Sequence, residues 1–277
     1  ITALFVGLGS IGTRHLKNLA NLCADRGWTL QADALRSDLT RPLRPGAAEL
    51  LHAQYTDPAA APAHYDMVFI TNPTSLHAEA LRQVKGRGAA LFIEKPIFSA
   101  EQTGLALDEL LPAGQKAYVA APMRWCGAML ALKDRLPALH PYCARVICSS
   151  YLPDWRPGVD YRTVYSARKA LGGGVTIDLI HEWDYLVELF GVPEKLYNFK
   201  GTYSELEIDS DDLSVYIAKY PTLLAEVHLD YFGRGYRRSI ELFCRDGSYL
   251  ADFGKGTLTL PDGTVQHYEE DVNRRYE

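Results

Sequence analysis

The chain begins with a short apolar run that leads directly into three glycines. Residues 3–6 predict a buried parallel strand, and glycines at positions 7, 9 and 12 follow without a gap. At a strand–turn–helix junction, glycines with this spacing permit a tight turn, close approach to a pyrophosphate and contact between helix and strand. We expect a helix over residues 13–25, whose N-terminal amides would hold phosphate oxygens. The residues predicted to contact the dinucleotide here are Gly7, Gly9, Ser10, Ile11 and Gly12.

Strands and helices alternate up to about residue 122. The predicted strands are residues 3–6, 30–35, 67–71, 90–93 and 117–121, and the predicted helices are residues 13–25, 75–86 and 99–111. Ser99 and Gln102 form a capping-box pattern for the last helix. This alternation predicts an α/β domain with a doubly wound parallel sheet over residues 1–122.

The second half of the chain has a different pattern. After a predicted helix at residues 126–135, closely spaced strands alternate in polarity, and one helix at residues 175–190 interrupts them. This predicts an α+β domain over residues 123–277 with an open, mainly antiparallel sheet, packed on one face and facing solvent or another subunit on the other. Residues 269–277 are polar and predict the start of a helix, which suggests a natural chain that continues further.

Composition excludes several classes of partner. A net charge of −5 without a long basic run argues against nucleic acid. No apolar stretch approaches the roughly 18 residues that span a bilayer, and the first strand leaves no room for a signal peptide unless a segment has been removed. The five cysteines contain no CxxC pair. We therefore expect reduced thiols, no metal site and a cytoplasmic protein.

Two ionisable residues follow the strand predicted at residues 90–93. Glu94 and Lys95 lie at the carboxyl end of that strand, where open α/β sheets bind ligands. A partly desolvated lysine can have a pKa low enough for proton transfer, and Pro96 would fix the backbone that directs its side chain. Position alone is equally compatible with a surface ion pair at the start of a loop.

A second constellation follows three glycines at positions 172–174. On a helix over residues 175–190, Asp178 and His181 share one face and Glu182 lies beside them. The glycines would let the backbone approach a ligand, and a carboxylate beside an imidazole suits acid/base chemistry. The segment alone is also compatible with a helix cap and a core histidine. A metal site of these three side chains is a further alternative that no other Cys/His cluster supports.

Taken together, these residues resemble the glucose–fructose oxidoreductase / inositol dehydrogenase (Gfo/Idh/MocA) family. The likeness covers essentially the whole chain. It implies an N-terminal Rossmann domain, a C-terminal open antiparallel sheet and a nicotinamide cofactor. The reaction that it implies is hydride transfer with a secondary alcohol of a sugar, sugar derivative or polyol. The motifs that carry it are the glycine pattern, Thr71-Asn72-Pro73 with His77, Glu94-Lys95-Pro96, and GGG-x3-Asp178-x2-His181-x2-Asp184.

The resemblance also implies residue roles. Lys95 would be the catalytic lysine at the reacting hydroxyl, His181 its acid/base partner, and Asp178 would bind substrate or orient His181. An alcohol releases hydride readily only if its proton leaves too, so a base must reach the hydroxyl. The substrate would lie between the two domains, with Glu94 near the nicotinamide ribose and a cis bond before Pro96. The remaining cofactor-binding residues would be Thr71, Asn72, Pro73, His77, Lys95 and Arg124.

The end of the second strand bears on the choice of cofactor. NAD sites usually place an acidic residue there for the ribose hydroxyls. Asp33 lies too early, inside the predicted strand, while Arg36 and Ser37 hold the end position and suit a 2′-phosphate. The cofactor is therefore predicted to be NAD(P) with a preference for NADP, although Asp38 leaves NAD open.

The segment before the second constellation combines aromatic residues with arginines. Such a segment suits a sugar ring that carries an anionic group, as in a nucleotide sugar, and equally suits a subunit contact or a packed loop. The predicted substrate-binding residues are Lys95, Trp155, Arg156, Tyr161, Arg162, Asp178 and His181.

Three functions follow from these patterns. The first is an NAD(P)-dependent sugar or polyol oxidoreductase, with nucleotide sugars among its candidate substrates. The second is an NAD-dependent glycoside hydrolase on the same scaffold, and the third is a non-catalytic NAD(P)H sensor. We expect a homodimer or homotetramer that assembles through the C-terminal sheet.

Overall fold

The computed structural model describes residues 1–99, 102, 104–269 and 273–277. They divide into two compact units, Ile1–Ala120 with Tyr276–Glu277, and Ala121–Arg275. The first unit contains a six-stranded sheet and the second an eight-stranded sheet. This confirms the predicted fold class. No helix within the described ranges is long and apolar enough to cross a bilayer.

The sheet of the first unit is entirely parallel, with the strand order β3-β2-β1-β4-β5-β6 that binds dinucleotides at its point of reversal. Apolar strand residues form its core, and the rings of Phe5 and Phe69 stack with centroids 4.4 Å apart. The strands are β1 (Thr2–Val6), β2 (Gln31–Leu35), β3 (Leu51–Tyr55), β4 (Tyr65–Ile70), β5 (Gly88–Ile93) and β6 (Lys116–Val119). The helices are α1 (Ser10–Asp25), α2 (His77–Gln83) and α3 (Leu107–Leu110).

Two predictions for this unit differ from the structure. No strand is predicted at the position of β3. This strand lies at the sheet edge, has no buried residue and lacks a strong apolar signal. Of the helix predicted over residues 99–111, residues 104–106 are not helical and α3 is limited to Leu107–Leu110, while residues 100, 101 and 103 lie outside the described part of the chain. The Ser99 amide does donate to Gln102 Oε1 at 3.1 Å, as the capping box predicts.

The second unit has a sheet in the order β14-β13-β12-β11-β7-β10-β9-β8. Only the β10–β7 pair is parallel among the pairs described. Its strands are β7 (Cys143–Tyr151), β8 (Lys195–Gly201), β9 (Leu213–Lys219), β10 (Leu224–Asp230), β11 (Phe232–Cys244), β12 (Gly247–Asp252), β13 (Thr257–Thr259) and β14 (Val265–His267). Its helices are α4 (Gly127–Arg135), α5 (Val175–Asp178) and α6 (His181–Phe190).

Alternate residues of these strands have different surroundings. Val146, Val227 and Ile240 belong to the buried core, whereas Ile217 and Phe199 are exposed on neighbouring strands. The sheet thus has one packed face and one open face, as the alternation in the sequence predicts.

The predicted continuous helix over residues 175–190 is wrong. The Asp178 and Leu179 amides close the first turn onto Gly174 and Val175, but Leu179 leaves the helical region at ψ 34°. A new helix, α6, then begins at His181. Asp178 and His181 therefore belong to different helices, and helical spacing does not determine how their side chains are related.

A buried ion pair attaches α6 to the sheet. Glu182 is completely buried, and its two carboxylate oxygens accept hydrogen bonds from Arg238 Nε at 2.7 Å and Arg238 Nη2 at 3.0 Å. A carboxylate at this depth costs several kcal/mol unless it is paired. The pair therefore determines how the helix that begins with His181 sits on β11.

Arg238→Met should destabilise the protein by about 3–5 kcal/mol, because it leaves the Glu182 carboxylate buried without its cation. Urea denaturation followed by circular dichroism measures the loss. Arg145→Met is the matched control, because it breaks the solvent-exposed pair with Glu226 on the same sheet and should cost far less, since water screens that pair. Equal losses in the two variants would contradict this interpretation.

Candidate functional site

The carboxyl ends of three neighbouring strands meet at one edge of the parallel sheet. The Thr71 amide donates to the Val6 carbonyl at 3.0 Å, and the Glu94 amide donates to the Ile70 carbonyl at 2.9 Å. These bonds extend the β1–β4 and β4–β5 ladders by one residue. As a result, the glycine loop after β1, the Thr71-Asn72-Pro73 loop and the Glu94-Lys95-Pro96 segment lie side by side.

The three motif glycines have different surroundings. Gly7 has φ +89°, and a Cβ there would lie 2.8 Å from Asn72 Cα; a Cβ on Gly12 would lie 2.5 Å from the Gly7 carbonyl oxygen. A Cβ on Gly9 would meet no atom within 4 Å. Gly7 and Gly12 are thus required by the protein's own packing, whereas Gly9 faces open space at the start of α1.

The start of α1 fits a dinucleotide phosphate. No side chain caps the helix at Gly9, and the first turn carries no acidic residue. The first amides of a helix have no carbonyl partner within it, so those of Ser10 and Ile11 remain for an anion. Within the described residues, the buried Oδ1 of Asn72 has no hydrogen-bond partner, which leaves an acceptor for a bound group on the neighbouring loop.

The candidate residues for the adenosine ribose, at and after β2, have different surroundings. Asp33 is completely buried and accepts a hydrogen bond from the Tyr65 hydroxyl at 2.8 Å, so it is a core residue. Arg36 is half-buried, and its Nη1 donates to Gln54 Oε1 at 2.8 Å; Ser37 is exposed. Asp38 accepts hydrogen bonds from the hydroxyl and amide of Thr40, which lower the pKa of the Asp38 carboxyl.

The Glu94-Lys95-Pro96 segment contains the expected cis bond between Lys95 and Pro96. Glu94 is buried, and its Oε1 lies 2.6 Å from Nε2 of His15 on α1. The other oxygen, Oε2, accepts a hydrogen bond from the Lys95 amide at 3.2 Å. His15 is not among the residues predicted from the sequence, although its position three residues after Gly12, on the buried side of α1, is the signal that could have indicated a role.

His77 lies between two of these loops. Its Nε2 is 2.9 Å from the Asn72 carbonyl oxygen and its Nδ1 is 3.2 Å from the Ile97 carbonyl oxygen. Burial lowers the pKa of the imidazole, against the opposing effect of these carbonyls. Both ring nitrogens therefore face the backbone of the loops that flank Lys95.

The glycines before α5, which are predicted to let the backbone approach a ligand, make close contacts within the chain itself. A Cβ on Gly173 would lie 2.2 Å from the Tyr165 carbonyl oxygen, and one on Gly174, at φ +123°, would lie 2.5 Å from Asp211 Oδ1. These glycines make room for the chain's own backbone and for Asp211. The Asp211 carboxylate accepts hydrogen bonds from the amide and hydroxyl of Thr176 and so caps α5.

Asp178 is oriented by two hydroxyl groups. Its Oδ2 accepts hydrogen bonds from Ser166 Oγ at 2.5 Å and from the Tyr231 hydroxyl at 3.0 Å. Burial first, and then the Asp178 charge, raise the pKa of Tyr231, which therefore remains a donor. The Trp155 ring meets Tyr231 edge-on at 5.3 Å.

The structure brings part of the predicted substrate loop toward Asp178. Trp155, Arg156 and Tyr161 line a cavity of about 10 Å³ together with Ser166. That volume is near the minimum for one water molecule and is far too small for a sugar ring. Arg162 does not line this cavity, because it binds Asp160 and Glu207 at 2.9 and 3.1 Å.

Arg124, a predicted cofactor-binding residue, has acidic partners within the second unit. Its Nε and Nη2 donate to the two oxygens of Asp184 at 2.9 and 2.6 Å, and its Nη1 donates to Glu188 at 2.7 Å. Asp184 closes the motif that contains Asp178 and His181, and the sequence alone does not indicate that it holds Arg124.

Glu182, one of the three ligands of the alternative metal site, is bound to another residue. The Glu182 carboxylate faces Arg238, and no group of three or more His, Cys, Asp or Glu residues in the described part of the chain could hold a metal ion.

Comparisons with known proteins agree with this geometry. Residues 1–120 match the family model described as an oxidoreductase family with an NAD-binding Rossmann fold (GFO_IDH_MocA). This match identifies residues 1–120 as an NAD-binding domain of the Gfo/Idh/MocA oxidoreductase type, in agreement with the predicted resemblance. No curated protein sequence matches the chain.

Several solved structures share the fold. Levoglucosan dehydrogenase in complex with NADH is 15% identical, with a TM-score of 0.78, and the match covers 99% of this chain and 82% of that one. The WlbA dehydrogenase from Bordetella pertussis, in complex with NADH and UDP-GlcNAcA, is 18% identical (TM-score 0.71; 90% and 77% covered). UDP-N-acetylglucosamine 3-dehydrogenase from Acidithiobacillus ferrooxidans is 18% identical (TM-score 0.69; 98% and 84% covered). At these identities the likeness establishes the fold.

Gly12→Ala should destabilise the protein, whereas Gly9→Ala should leave its stability nearly unchanged. The methyl group at position 12 would overlap the Gly7 carbonyl and should cost about 1–3 kcal/mol, whereas the one at position 9 enters open space. Both variants should weaken NADH binding, Gly9→Ala by occupying the space that the pyrophosphate needs. Thermal unfolding and NADH fluorescence titration measure the two effects. If Gly9→Ala bound NADH like the wild type, the assigned role of this glycine would be wrong.

Proposed function

We propose that this protein is a Gfo/Idh/MocA oxidoreductase that transfers hydride between a nicotinamide cofactor and a secondary alcohol of a sugar, sugar derivative or polyol. The observation that carries the proposal is the position of Lys95. It follows a parallel strand at the same sheet edge as the glycine loop, and its amide is bound by the buried Glu94. An amine at that edge can exchange a proton with an alcohol as the alcohol is oxidised.

The nicotinamide, when bound, supplies the hydride acceptor or donor. Lys95 would take the hydroxyl proton during oxidation and return it during reduction. His181 and Asp178 are proposed to contribute acid/base assistance and substrate binding. Two hydroxyl donors leave Asp178 with one defined orientation, which suits recognition of a sugar hydroxyl.

The proposed substrate class includes nucleotide sugars. Two of the structures with the same fold are named for acting on, or hold, a UDP-linked sugar. In this chain, Arg156 lies beside Trp155 and Tyr161 close to Ser166, whose hydroxyl binds Asp178. An arginine next to aromatic rings suits a sugar that bears a negative charge.

A second copy of the chain is proposed to cover the open face of the eight-stranded sheet. Tyr197 and Phe199 on β8 are 62% and 74% exposed and lie opposite Ile217 and Val215 on β9. Exposed apolar groups in such a row favour burial in a homodimer or homotetramer. None of the five cysteines forms a disulfide within the described residues, which supports a proposed location in the reducing cytoplasm.

Binding of NADPH is expected to be tighter than binding of NADH. Asp33 is withdrawn into the core, so the end of β2 presents Arg36 and Ser37, which suit a 2′-phosphate. Fluorescence titration with the two reduced cofactors gives the two Kd values. A lower Kd for NADH would assign the ribose contact to Asp38 instead.

Lys95→Met should reduce turnover to a small residual rate while it changes the Kd for NADH or NADPH only slightly, because the methionine keeps the side-chain length and removes the amine. Cofactor absorbance at 340 nm, with a panel of nucleotide sugars, free sugars and polyols, measures the loss. Lys85→Met, which alters an exposed lysine of the same domain, is the control. Turnover like that of the wild type in Lys95→Met would refute the proposed mechanism.

Two other outcomes of the panel would select the alternative functions. Tightly retained cofactor with glycoside cleavage and no net reduction would indicate a hydrolase. Cofactor binding without a reaction on any member of the panel would indicate a sensor.

A further inference from the structure

The backbone that carries Lys95 is tied at two points to histidines on helices. At residue 94, His15 of α1 places Nε2 at 2.6 Å from the Glu94 carboxylate. At residue 97, His77 of α2 places Nδ1 at 3.2 Å from the Ile97 carbonyl oxygen. Lys95 lies between these two points.

The contact between His15 and Glu94 lies in the interior of the first unit. The two residues are 3% and 7% exposed. The His15 ring packs near Phe92 and Tyr276, with centroids 4.7 and 6.0 Å away. A carboxylate among such groups needs a strong hydrogen-bond donor, and Nε2–H of His15 is that donor in this geometry.

The Glu94 carboxylate connects His15 to the backbone of Lys95. While Oε1 is held by His15, Oε2 accepts the hydrogen bond from the Lys95 amide. The position of the Lys95 backbone therefore depends on α1, the helix that also begins at the glycine loop. Since misplacement of a reacting group by about 1 Å can cost about 100-fold in rate, this link matters for catalysis.

We propose that His15 is a positioning residue for Lys95 and acts through Glu94. The inference rests on the proposed function of Lys95 as the proton-transfer group. His15 touches neither substrate nor the transferred proton in this role. It fixes the carboxylate that holds the Lys95 amide, and so couples the cofactor loop to the catalytic amine.

Three variants test the link. His15→Leu removes the donor, His15→Gln keeps an N–H close to the Nε2 position, and Glu94→Gln keeps an acceptor for His15 but replaces the oxygen that holds the Lys95 amide by NH₂. His52→Leu is the matched control, because it breaks another histidine–carboxylate contact of the same unit, to Asp33 at 3.2 Å on β2.

The first readout does not need a substrate. Acetic anhydride labels lysine amines, and mass spectrometry compares Lys95 with the exposed Lys85. In His15→Leu, the rate at which Lys95 is labelled should change until it equals the rate of the exposed Lys85. In His15→Gln and in His52→Leu it should remain at the wild-type value. An unchanged Lys95 rate in His15→Leu would overturn the proposal.

The second readout is turnover with the panel substrate that reacts fastest. His15→Leu should lower kcat by about 10- to 100-fold, with KM and the Kd for cofactor near their wild-type values. His15→Gln should recover most of kcat. Glu94→Gln should lower kcat even if His15→Leu fails to fold, and wild-type kcat in Glu94→Gln would overturn the proposal.

A double variant separates this inference from the proposed function. If Lys95→Met keeps turnover, the proposed role of Lys95 fails. If Lys95→Met is inactive while His15→Leu keeps full kcat and labelling, only the role of His15 fails. If His15 acts through Lys95, His15→Leu should not lower the residual rate of Lys95→Met further, whereas an independent structural effect would add to it.

Discussion

Backbone hydrogen bonds across the carboxyl edge of the parallel sheet are the constraint on which the candidate cofactor site depends. The carbonyl at the end of each strand accepts the amide that follows the neighbouring strand, from Val6 to Thr71 and from Ile70 to Glu94. These backbone hydrogen bonds bring together residues that are far apart in the chain and define their relative positions. The contact between Gly7 and Asn72 and the contact between His15 and Glu94 both require this register.

Three carboxylates illustrate how partners decide the role of an acidic residue. Asp33 is bound to Tyr65, Glu94 to His15 and Glu182 to Arg238. All three are buried, and each is paired because an unpaired charge there would be costly. Their consequences differ: Asp33 is withdrawn from the ribose site, Glu182 anchors a helix, and Glu94 reaches the backbone of the proposed catalytic lysine.

In the second unit, the backbone around Asp178 is shaped by the chain itself. Gly173 admits the backbone of the segment that contains Ser166, Gly174 admits Asp211, and the Gly174 amide donates to the Ser166 carbonyl. The Ser166 hydroxyl is thereby brought to Asp178. The glycine run thus has a structural role within the chain, since it admits the segment whose Ser166 hydroxyl orients Asp178.

The sequence by itself determined the parallel sheet, the open second sheet and the placement of Lys95 at a strand end, because glycine spacing and apolar periodicity are local properties. It did not determine the edge strand β3, the break between Asp178 and His181, or the partners His15 and Asp184. These depend on packing and charge pairing between segments distant in the chain. Only the tertiary structure decided them, since a buried charge takes whichever partner the fold brings within hydrogen-bond distance.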